Sequence, residues 1–309
     1  TIGVKQTTAT LELLRDGATV PFISRYRKEM TGGLDEVQIH DVQVTARHIR
    51  DLTDRKKTVL KAIATQQKLT ATLQAAIITA ATLQDVEDLY LPYKQKKRTK
   101  AMIARENGLQ PLADFVLTHL SEEIPTEAYI NDALADAAAV LAGLHEIIAE
   151  QIGEKAIYRQ WLRERMQRDG FLTVTVKRDG EEKDAQGVYA QYYDYSESLK
   201  SLQMNTFRIL AVNRGEKDGV LSVKIDFSEE RMRHFIQIKE RNGQGDSGEG
   251  YQVLLSAIDD AYKRFIQPAV ARELRQELTV LAQGQAIKVF GDNLYHLLMQ
   301  APRKNKIVM

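Results

Sequence analysis

The sequence contains no cysteine and little glycine or proline. Its 309 residues include 18 Gly and 6 Pro. Without cysteine the chain can form no disulfide, no thiolate metal site and no cysteine nucleophile. This absence suits a reducing compartment, so we expect a cytoplasmic protein. Because glycine and proline interrupt helices, their scarcity favours a helical chain over a loop-rich or disordered one.

Long apolar runs and an excess of one charge are also missing. No stretch approaches the roughly 18 apolar residues that a membrane span requires, so we expect no membrane partner. The 43 Lys and Arg residues nearly balance the 42 Asp and Glu residues, which leaves a net charge of +1. A surface for nucleic acid must therefore come from local segregation of charge. The hydrophobic content of 43% is ordinary for a globular chain with a buried core.

Local signals in the N-terminal part predict a series of helices. A short helix is predicted over residues 7–15, and a second begins near Pro21, whose missing N–H suits a first turn. A long helix is predicted from Asp35 onward. Thr70 and Thr82 are predicted to cap two shorter helices, because threonine side chains accept hydrogen bonds from free backbone N–H groups.

The middle of the chain is also predicted to be helical. Residues 126–142 are rich in alanine, and residues 144–168 place apolar side chains on one helical face. On this helix Arg159, Arg163 and Arg168 are expected to point outward to solvent.

A short β element interrupts this helical pattern. Residues 171–176 alternate apolar and polar side chains and are β-branched, which predicts a strand. Residues 220–225 predict a second one, too far along the chain for a simple hairpin. The sequence therefore predicts a mainly α, multi-helical fold with a helix-turn-helix-like unit and a small strand element around residues 171–226.

The segment over residues 21–36 is the first candidate for nucleic-acid contact. Arg25 and Lys28 are three residues apart and can share a helical face, whereas Arg27 and Glu29 point elsewhere. The cations could contact phosphates. They could also form structural ion pairs that hold neighbouring helices together.

The segment over residues 87–106 carries the densest positive charge in the chain. Clustered cations repel one another and favour an anionic partner, and nearby Tyr90 and Tyr93 could stack on bases. The alternatives are a solvated loop, or a loop packed on acidic neighbours such as Glu87 and Asp88. The cations of this segment are Lys94, Lys96, Lys97, Arg98, Lys100 and Arg105.

No motif in the sequence predicts catalysis or a cofactor. Residues 243–248 read GQGDSG, which matches the G-x-G-x-x-G pattern of dinucleotide-binding loops. However, no buried strand precedes this segment, and Asp246 would repel a pyrophosphate. A flexible loop explains this segment better. The six histidines are scattered without metal-ligand spacing. We therefore expect no enzyme activity, no cofactor and no metal site.

Four segments of the chain resemble the Tex family of bacterial transcription accessory proteins. They are LLRDGATVPFISRYRKEMTGGLDEVQ (13–38), LQDVEDLYLPYKQKKRTKAMIARENGLQPLA (83–113), FRILAVNRGEKDGVL (207–221) and VFGDNLYHLLMQAP (289–302). The resemblance implies a helical N-terminal region followed by an RNase H-like domain, helix-hairpin-helix elements and an OB-fold RNA-binding domain. Asn205-Thr206-Phe207 stands where the family tends to have Pro-Ser-His, so no role for that histidine carries over.

The resemblance also implies how the chain is divided. We expect a Tex-like helical region over 1–125 and a central helical region with a β element over 126–284. Residues 285–309 would then begin the linker into an RNase H-like domain that this chain lacks.

The function that follows is a non-catalytic scaffold that binds DNA or RNA phosphates weakly and without sequence preference. An alternative is a protein-interaction platform that docks RNA polymerase or transcription factors without touching nucleic acid. The predicted nucleic-acid contacts are Arg25, Arg27, Lys28, Lys94, Lys96, Lys97, Arg98, Lys100 and Arg105.

Overall fold

The structure is a computed structural model that describes residues 2–95 and 97–300. Contacts between Cα atoms divide the chain into two compact units, residues 1–95 (the first unit) and residues 96–309 (the second unit). The prediction of a mainly α, multi-helical fold with a small β element is confirmed. The region boundaries near residues 125 and 284 stay predictions.

The first unit is helical throughout. Both predicted caps are confirmed, since the side chains of Thr70 and Thr82 each accept a hydrogen bond from the backbone N–H three residues later. Asp35 caps α3 in the same way. These caps matter because the first N–H groups of a helix have no partner within it. The helices are α1 (Val4–Arg15), α2 (Val20–Tyr26), α3 (Glu36–Thr65), α4 (Ala71–Thr79) and α5 (Leu83–Tyr90).

Two separate apolar clusters lie along α3. Near its beginning, Ile39 packs with Ile23 of α2 and Leu34. Near its end, buried side chains of α3, α4 and α5 form the second cluster, which consists of Val59, Ile63, Ile77 and Val86. The short turn between α1 and α2, with both helices packed on α3, forms the predicted helix-turn-helix-like unit.

The second unit contains both helices and strands. Its elements, in chain order, are α6 (Lys100–Glu106), α7 (Gln110–Thr118), α8 (Ala137–Gly153), α9 (Ala156–Asp169), β1 (Phe171–Val176), α10 (Gly180–Lys183), β2 (Asp194–Ser198), α11 (Leu199–Leu202), α12 (Thr206–Lys217), β3 (Leu221–Asp226), α13 (Glu229–Arg241), α14 (Glu249–Asp260) and α15 (Gln267–Leu298).

The helices of the middle region differ in two ways from the prediction. Residues 126–142 are not one helix, since α8 begins only after Asp136, whose side chain caps it. The single helix predicted over 144–168 is two helices, because Lys155 has extended backbone between α8 and α9. Gly153 ends α8 where Phe265 packs closely enough that a β-carbon would lie 2.8 Å from it.

The β element is a three-stranded antiparallel sheet in the order β2-β1-β3. The strands predicted near residues 171–176 and 220–225 are confirmed as β1 and β3, and they pair directly, with Val174 opposite Val223. The third strand, β2, has the sequence DYSES, which is polar and carries no strand signal.

The apolar core of the second unit is continuous and runs through α8, α9, α14 and α15. Between α14 and α15, residues Ala261–Ile266 form a π-helical turn, and Pro268 lies in the first turn of α15. Proline lacks the N–H that a regular helix would use there, so the chain is irregular just before it. Along the described ranges, no helix is long and apolar enough to cross a membrane.

Candidate nucleic-acid interface

The helix α2 presents one side to the core and the other to solvent. Pro21 lies in its first turn, and Ile23 and Ser24 are buried. With 3.6 residues per turn, the opposite side of the helix carries Phe22 and Tyr26, both exposed. The same side also carries Arg25, so the solvent-facing side of α2 combines aromatic rings with a cation.

The turn that follows α2 is held by its own hydrogen bonds. The backbone N–H of Gly33 donates to the Lys28 carbonyl at 2.8 Å, and the Thr31 hydroxyl is buried against the same turn. Gly32 and Gly33 have positive φ, which L side chains rarely adopt. The Gln6 amide of α1 donates to the Gly32 carbonyl at 3.0 Å and fixes the turn to the first helix.

The three predicted cations of this segment have different roles. Arg25 and Lys28 are exposed, and within the described ranges neither forms an ion pair. The Arg27 guanidinium instead lies 5.2 Å from the Phe22 ring centroid and donates to the Tyr26 carbonyl at 2.9 Å. Arg25 and Lys28 are therefore available to an anion, and Arg27 mainly supports the aromatic ring beside them.

The predicted cations after α5 begin with two exposed lysines. Lys94 and Lys97 lie on the surface, and neither pairs with an acid in the part of the chain that the structure describes. Lys96 lies outside the described residues. Arg98 is exposed, and its Nη2 lies 2.6 Å from Glu106 Oε2. Such an exposed pair is weak, so Arg98 could exchange this partner for a phosphate.

Lys100 and Arg105 connect α6 to α8. Lys100 Nζ lies 3.5 Å from Glu146, and Arg105 Nη1 donates to Glu150 at 2.5 Å. Glu150 is buried and also accepts a hydrogen bond from the Thr99 hydroxyl at 3.0 Å. A buried carboxylate needs such partners, so Arg105 has a structural role in the second unit.

The electrostatics around Glu146 agree with this structural role. Partial burial alone would raise the pKa of Glu146, but the hydrogen bond and charge of Arg264 and the charge of Lys100 outweigh it, so its pKa is lowered. Glu146 is therefore negatively charged at neutral pH and holds Lys100 near α8.

The two tyrosines expected beside the basic segment are not free to stack on bases. Tyr90 and Tyr93 are half-buried against the second apolar cluster. The Arg55 guanidinium lies 5.5 Å from the Tyr90 ring centroid and donates to Glu87 at 2.5 Å. The exposed aromatic rings near predicted cations are instead Phe22 and Tyr26. Helical spacing in the sequence places both rings on one side of α2, but which side faces solvent depends on how the helix packs.

The prediction that Arg159 and Arg163 of α9 face solvent is wrong, because both are buried. Arg159 donates to the carbonyl oxygens of Gly153 and Phe265, and Arg163 donates to Glu273 at 2.8 Å. Arginine is often found on helix surfaces, but its five donors also let it join buried carbonyl and carboxylate groups. Arg168 is exposed, as predicted, and pairs with its neighbour Asp169.

A polar cluster surrounds Arg208 at the start of α12. Its Nη1 donates to Glu197 at 2.8 Å, and Ser201 and Tyr195 also donate to Glu197. Burial alone would raise the pKa of Glu197, but these donors hold it at about 2. Burial and the neighbouring carboxylate raise the pKa of Tyr195 to about 12. The cluster ties β2, α11 and α12 together.

The glycine-rich loop before α14 packs against the chain after α7. A β-carbon on Gly248 would lie 2.7 Å from Ser121 Cα, and one on Gly250 would lie 2.9 Å from the Leu120 carbonyl oxygen. Gln244 donates to the Leu117 carbonyl and accepts from the Leu120 N–H. These glycines therefore allow two backbones to approach each other closely. In the described ranges, no three His, Asp or Glu side chains converge as a metal site would require.

Comparison with known proteins identifies the class to which this helical chain belongs. Residues 1–64 match the Tex-like protein N-terminal domain, and residues 119–290 match the family described as Tex central region-like. The chain belongs to the Tex-like family, which confirms the resemblance noted in its sequence.

Individual relatives match over almost the whole chain. YdcI of Bacillus subtilis is 40% identical over 99% of this chain and 42% of its own length. The transcriptional accessory protein Tex of Neisseria gonorrhoeae is 37% identical over 96% of this chain and 39% of its own length. The human S1 RNA-binding domain-containing protein 1 is 29% identical over 97% of this chain and 31% of its own length. The chain thus spans about two fifths or less of the length of these relatives.

Proposed function

We propose that this chain is a non-catalytic, nucleic-acid-binding part of a transcription accessory protein, and that it contacts phosphates without sequence preference. The observation that carries the proposal is the end of α2 and the turn after it, where Arg25 and Lys28 are exposed and form no ion pair with any described residue. Side chains of this kind supply the salt-sensitive attraction that dominates non-specific nucleic-acid binding.

The names of two relatives support the same function. One is called a transcriptional accessory protein, and another is called an S1 RNA-binding domain-containing protein. Both relatives are longer than this chain, so the activity of the whole relative cannot be assigned directly to this chain. Lys94 and Lys97 are further candidates for phosphate contact, because both are exposed and form no ion pair within the described ranges. Arg105 is no longer a good candidate, since it holds Glu150.

The test is the salt dependence of binding. A fluorescently labelled oligonucleotide is titrated with the chain at several salt concentrations, and log K is plotted against log salt. For duplex DNA the slope of this plot is negative, and each lost phosphate contact makes it shallower by roughly 0.9. The variant Arg25→Glu with Lys28→Glu should therefore reduce the magnitude of the slope by about 2.

The matched control for this titration is Lys61→Glu with Lys68→Glu, which also reverses two exposed charges elsewhere in the first unit. The control should change binding far less than Arg25→Glu with Lys28→Glu. No binding at low salt, or equal effects of the two double variants, would contradict the proposal.

The second candidate function is docking of a protein such as RNA polymerase. The end of α15 favours it, because Ile287, Phe290 and Leu294 recur at helical spacing and are all exposed. Purified RNA polymerase, immobilised and incubated with the chain, should then retain the wild type but not a Phe290→Lys variant. Retention of polymerase without any nucleic-acid binding would favour this function over the first.

We also propose that the chain has no catalytic activity of its own. Phosphoryl transfer would need carboxylates that hold a divalent cation near the scissile phosphate. Incubation with labelled RNA and DNA in the presence of Mg²⁺ or Mn²⁺ should leave both intact. Cleavage that persists through purification to constant specific activity would contradict this expectation.

A further inference from the structure

The solvent-facing side of α2 carries two large, exposed aromatic rings. Phe22 is 41% exposed and Tyr26 is 62% exposed, and their ring centroids are 5.4 Å apart. Met30, in the turn that follows, is 52% exposed. Such side chains gain little from packing at the surface, and a contiguous exposed group of them is typical of a binding site.

Cations surround these rings. Arg25 lies beside Phe22 and Tyr26 on the same side of α2, and Lys28 is in the turn just beyond. Arg27 supports the group, since its guanidinium lies against the Phe22 ring and is tied to the Tyr26 carbonyl. The aromatic rings are thus held in a defined position next to two cations that form no ion pair with described residues.

This combination fits one class of partner. A single-stranded nucleic acid offers both flat bases, which stack on aromatic side chains, and phosphates, which attract cations. A duplex offers phosphates, but its bases are already stacked on one another. A protein partner would be expected to cover the aromatic rings without requiring two adjacent unpaired cations.

We propose that the outer side of α2 and its turn form a stacking platform for single-stranded nucleic acid. Phe22 and Tyr26 receive bases, and Arg25 and Lys28 hold the phosphates between them. This inference rests on the proposed nucleic-acid function and adds to it a preference for single strands over duplexes.

The test uses variants that keep apolar bulk but remove the flat rings. Phe22→Leu with Tyr26→Leu is compared with the wild type on a labelled single strand and on the duplex of the same sequence. Affinity for the single strand should fall roughly tenfold, because a base stacked on an aromatic ring typically strengthens binding by about that factor or more. Affinity for the duplex should change by less than about twofold.

Two further variants make the result specific. Tyr295→Leu is the matched control, since Tyr295 of α15 is also 62% exposed, and it should bind like the wild type. Tyr26→Trp keeps a ring, so it should bind the single strand at wild-type strength or better, and its indole fluorescence should be quenched on binding. Circular dichroism spectra that match the wild type show that each variant is folded.

The outcomes separate this inference from the proposed function. If the leucine variant binds single strands like the wild type while Arg25→Glu with Lys28→Glu does not, the stacking platform is wrong and the phosphate contacts stand. If the leucine variant loses duplex and single strand equally, the single-strand preference is overturned. If the leucine variant loses only retention by RNA polymerase, the face binds protein instead. If neither variant changes binding, both proposals fail.

Discussion

Replacing Arg105 with alanine should destabilise the second unit without weakening nucleic-acid binding. Arg105 Nη1 donates to Glu150 at 2.5 Å, and only 5% of the Glu150 side chain is exposed, against 30% for Arg105. Without Arg105, the Glu150 carboxylate keeps the Thr99 hydroxyl at 3.0 Å and the charge of nearby Arg264, but it loses the charged hydrogen bond that Arg105 donates. A buried carboxylate that loses a charged hydrogen-bond donor is less well compensated for its lost hydration, so the folded state becomes less stable.

The size of the effect follows from this burial. Removing one partner of a fully buried ion pair costs about 3–5 kcal/mol. Because almost a third of Arg105 is exposed, water can reach part of the space that its side chain leaves in the alanine variant. We therefore expect the free energy of unfolding to fall by less, about 2 kcal/mol. In the double variant Arg105→Ala with Glu150→Gln the buried charge itself is gone, so about half of this loss should be recovered.

The assay is urea unfolding followed by the fluorescence of Trp161, the only tryptophan in the chain. Trp161 lies in the second unit and stacks on Phe235 with ring centroids 4.5 Å apart, so its emission reports on that unit. The matched control is Arg98→Ala, because the ion pair of Arg98 with Glu106 is exposed and should contribute less than about 0.5 kcal/mol.

Two results would refute this reasoning about Arg105. One is an unfolding free energy for Arg105→Ala that equals that of the Arg98→Ala control. The other is a folded Arg105→Ala variant that binds oligonucleotides several-fold more weakly than the wild type, since Arg105 would then contact phosphate as the sequence predicted.

Two further changes probe the second unit. Glu197 has a pKa of about 2 in the folded chain, so its contribution to stability is present above its unfolded pKa of roughly 4.3 and is lost as pH falls toward 2. Between about pH 5 and pH 3 the wild type should lose roughly 1.5 kcal/mol more than Glu197→Gln in urea unfolding, and parallel losses would contradict the assignment. Gly180→Ala would place a β-carbon 2.4 Å from the Val220 carbonyl oxygen and should cost about 1–3 kcal/mol. The control Gly284→Ala meets no atom within 4 Å in mid-helix and should stabilise by up to about 1 kcal/mol, so equal melting temperatures for the two variants would contradict the packing.

The helix boundaries that the sequence predicted well are those set by local chemistry. Thr70 and Thr82 cap their helices as predicted, because a cap needs only the backbone N–H groups of the next three residues. The strand β1 was predicted for a similar reason, since its alternation is complete within six residues. The polar strand β2 was missed because it forms a strand only by pairing with β1.

In the candidate site, too, the sequence predicted what depends on neighbouring residues and missed what depends on distant ones. The sequence indicated Arg25 and Lys28 as cations on one face of a helix. The structure ends α2 at Tyr26, so Lys28 lies in the turn after the helix, and both side chains are exposed. The sequence grouped Arg105 with them because charge density was the only signal. The acid that holds Arg105 lies 45 residues further along the chain, so no local pattern could reveal it.

The sequence by itself determined the helical composition of this protein, its main caps, its first strand and its family. Each of these depends on residue type and on neighbours within a few positions. Only the tertiary structure decided which cations are free and which aromatic rings are exposed. Burial of Arg159 and Arg163, the pairing of Arg105 with Glu150, and the exposure of Phe22 and Tyr26 all depend on contacts made after the chain has folded. The platform on α2 is therefore a property of the fold, although every residue in it can be read in the sequence.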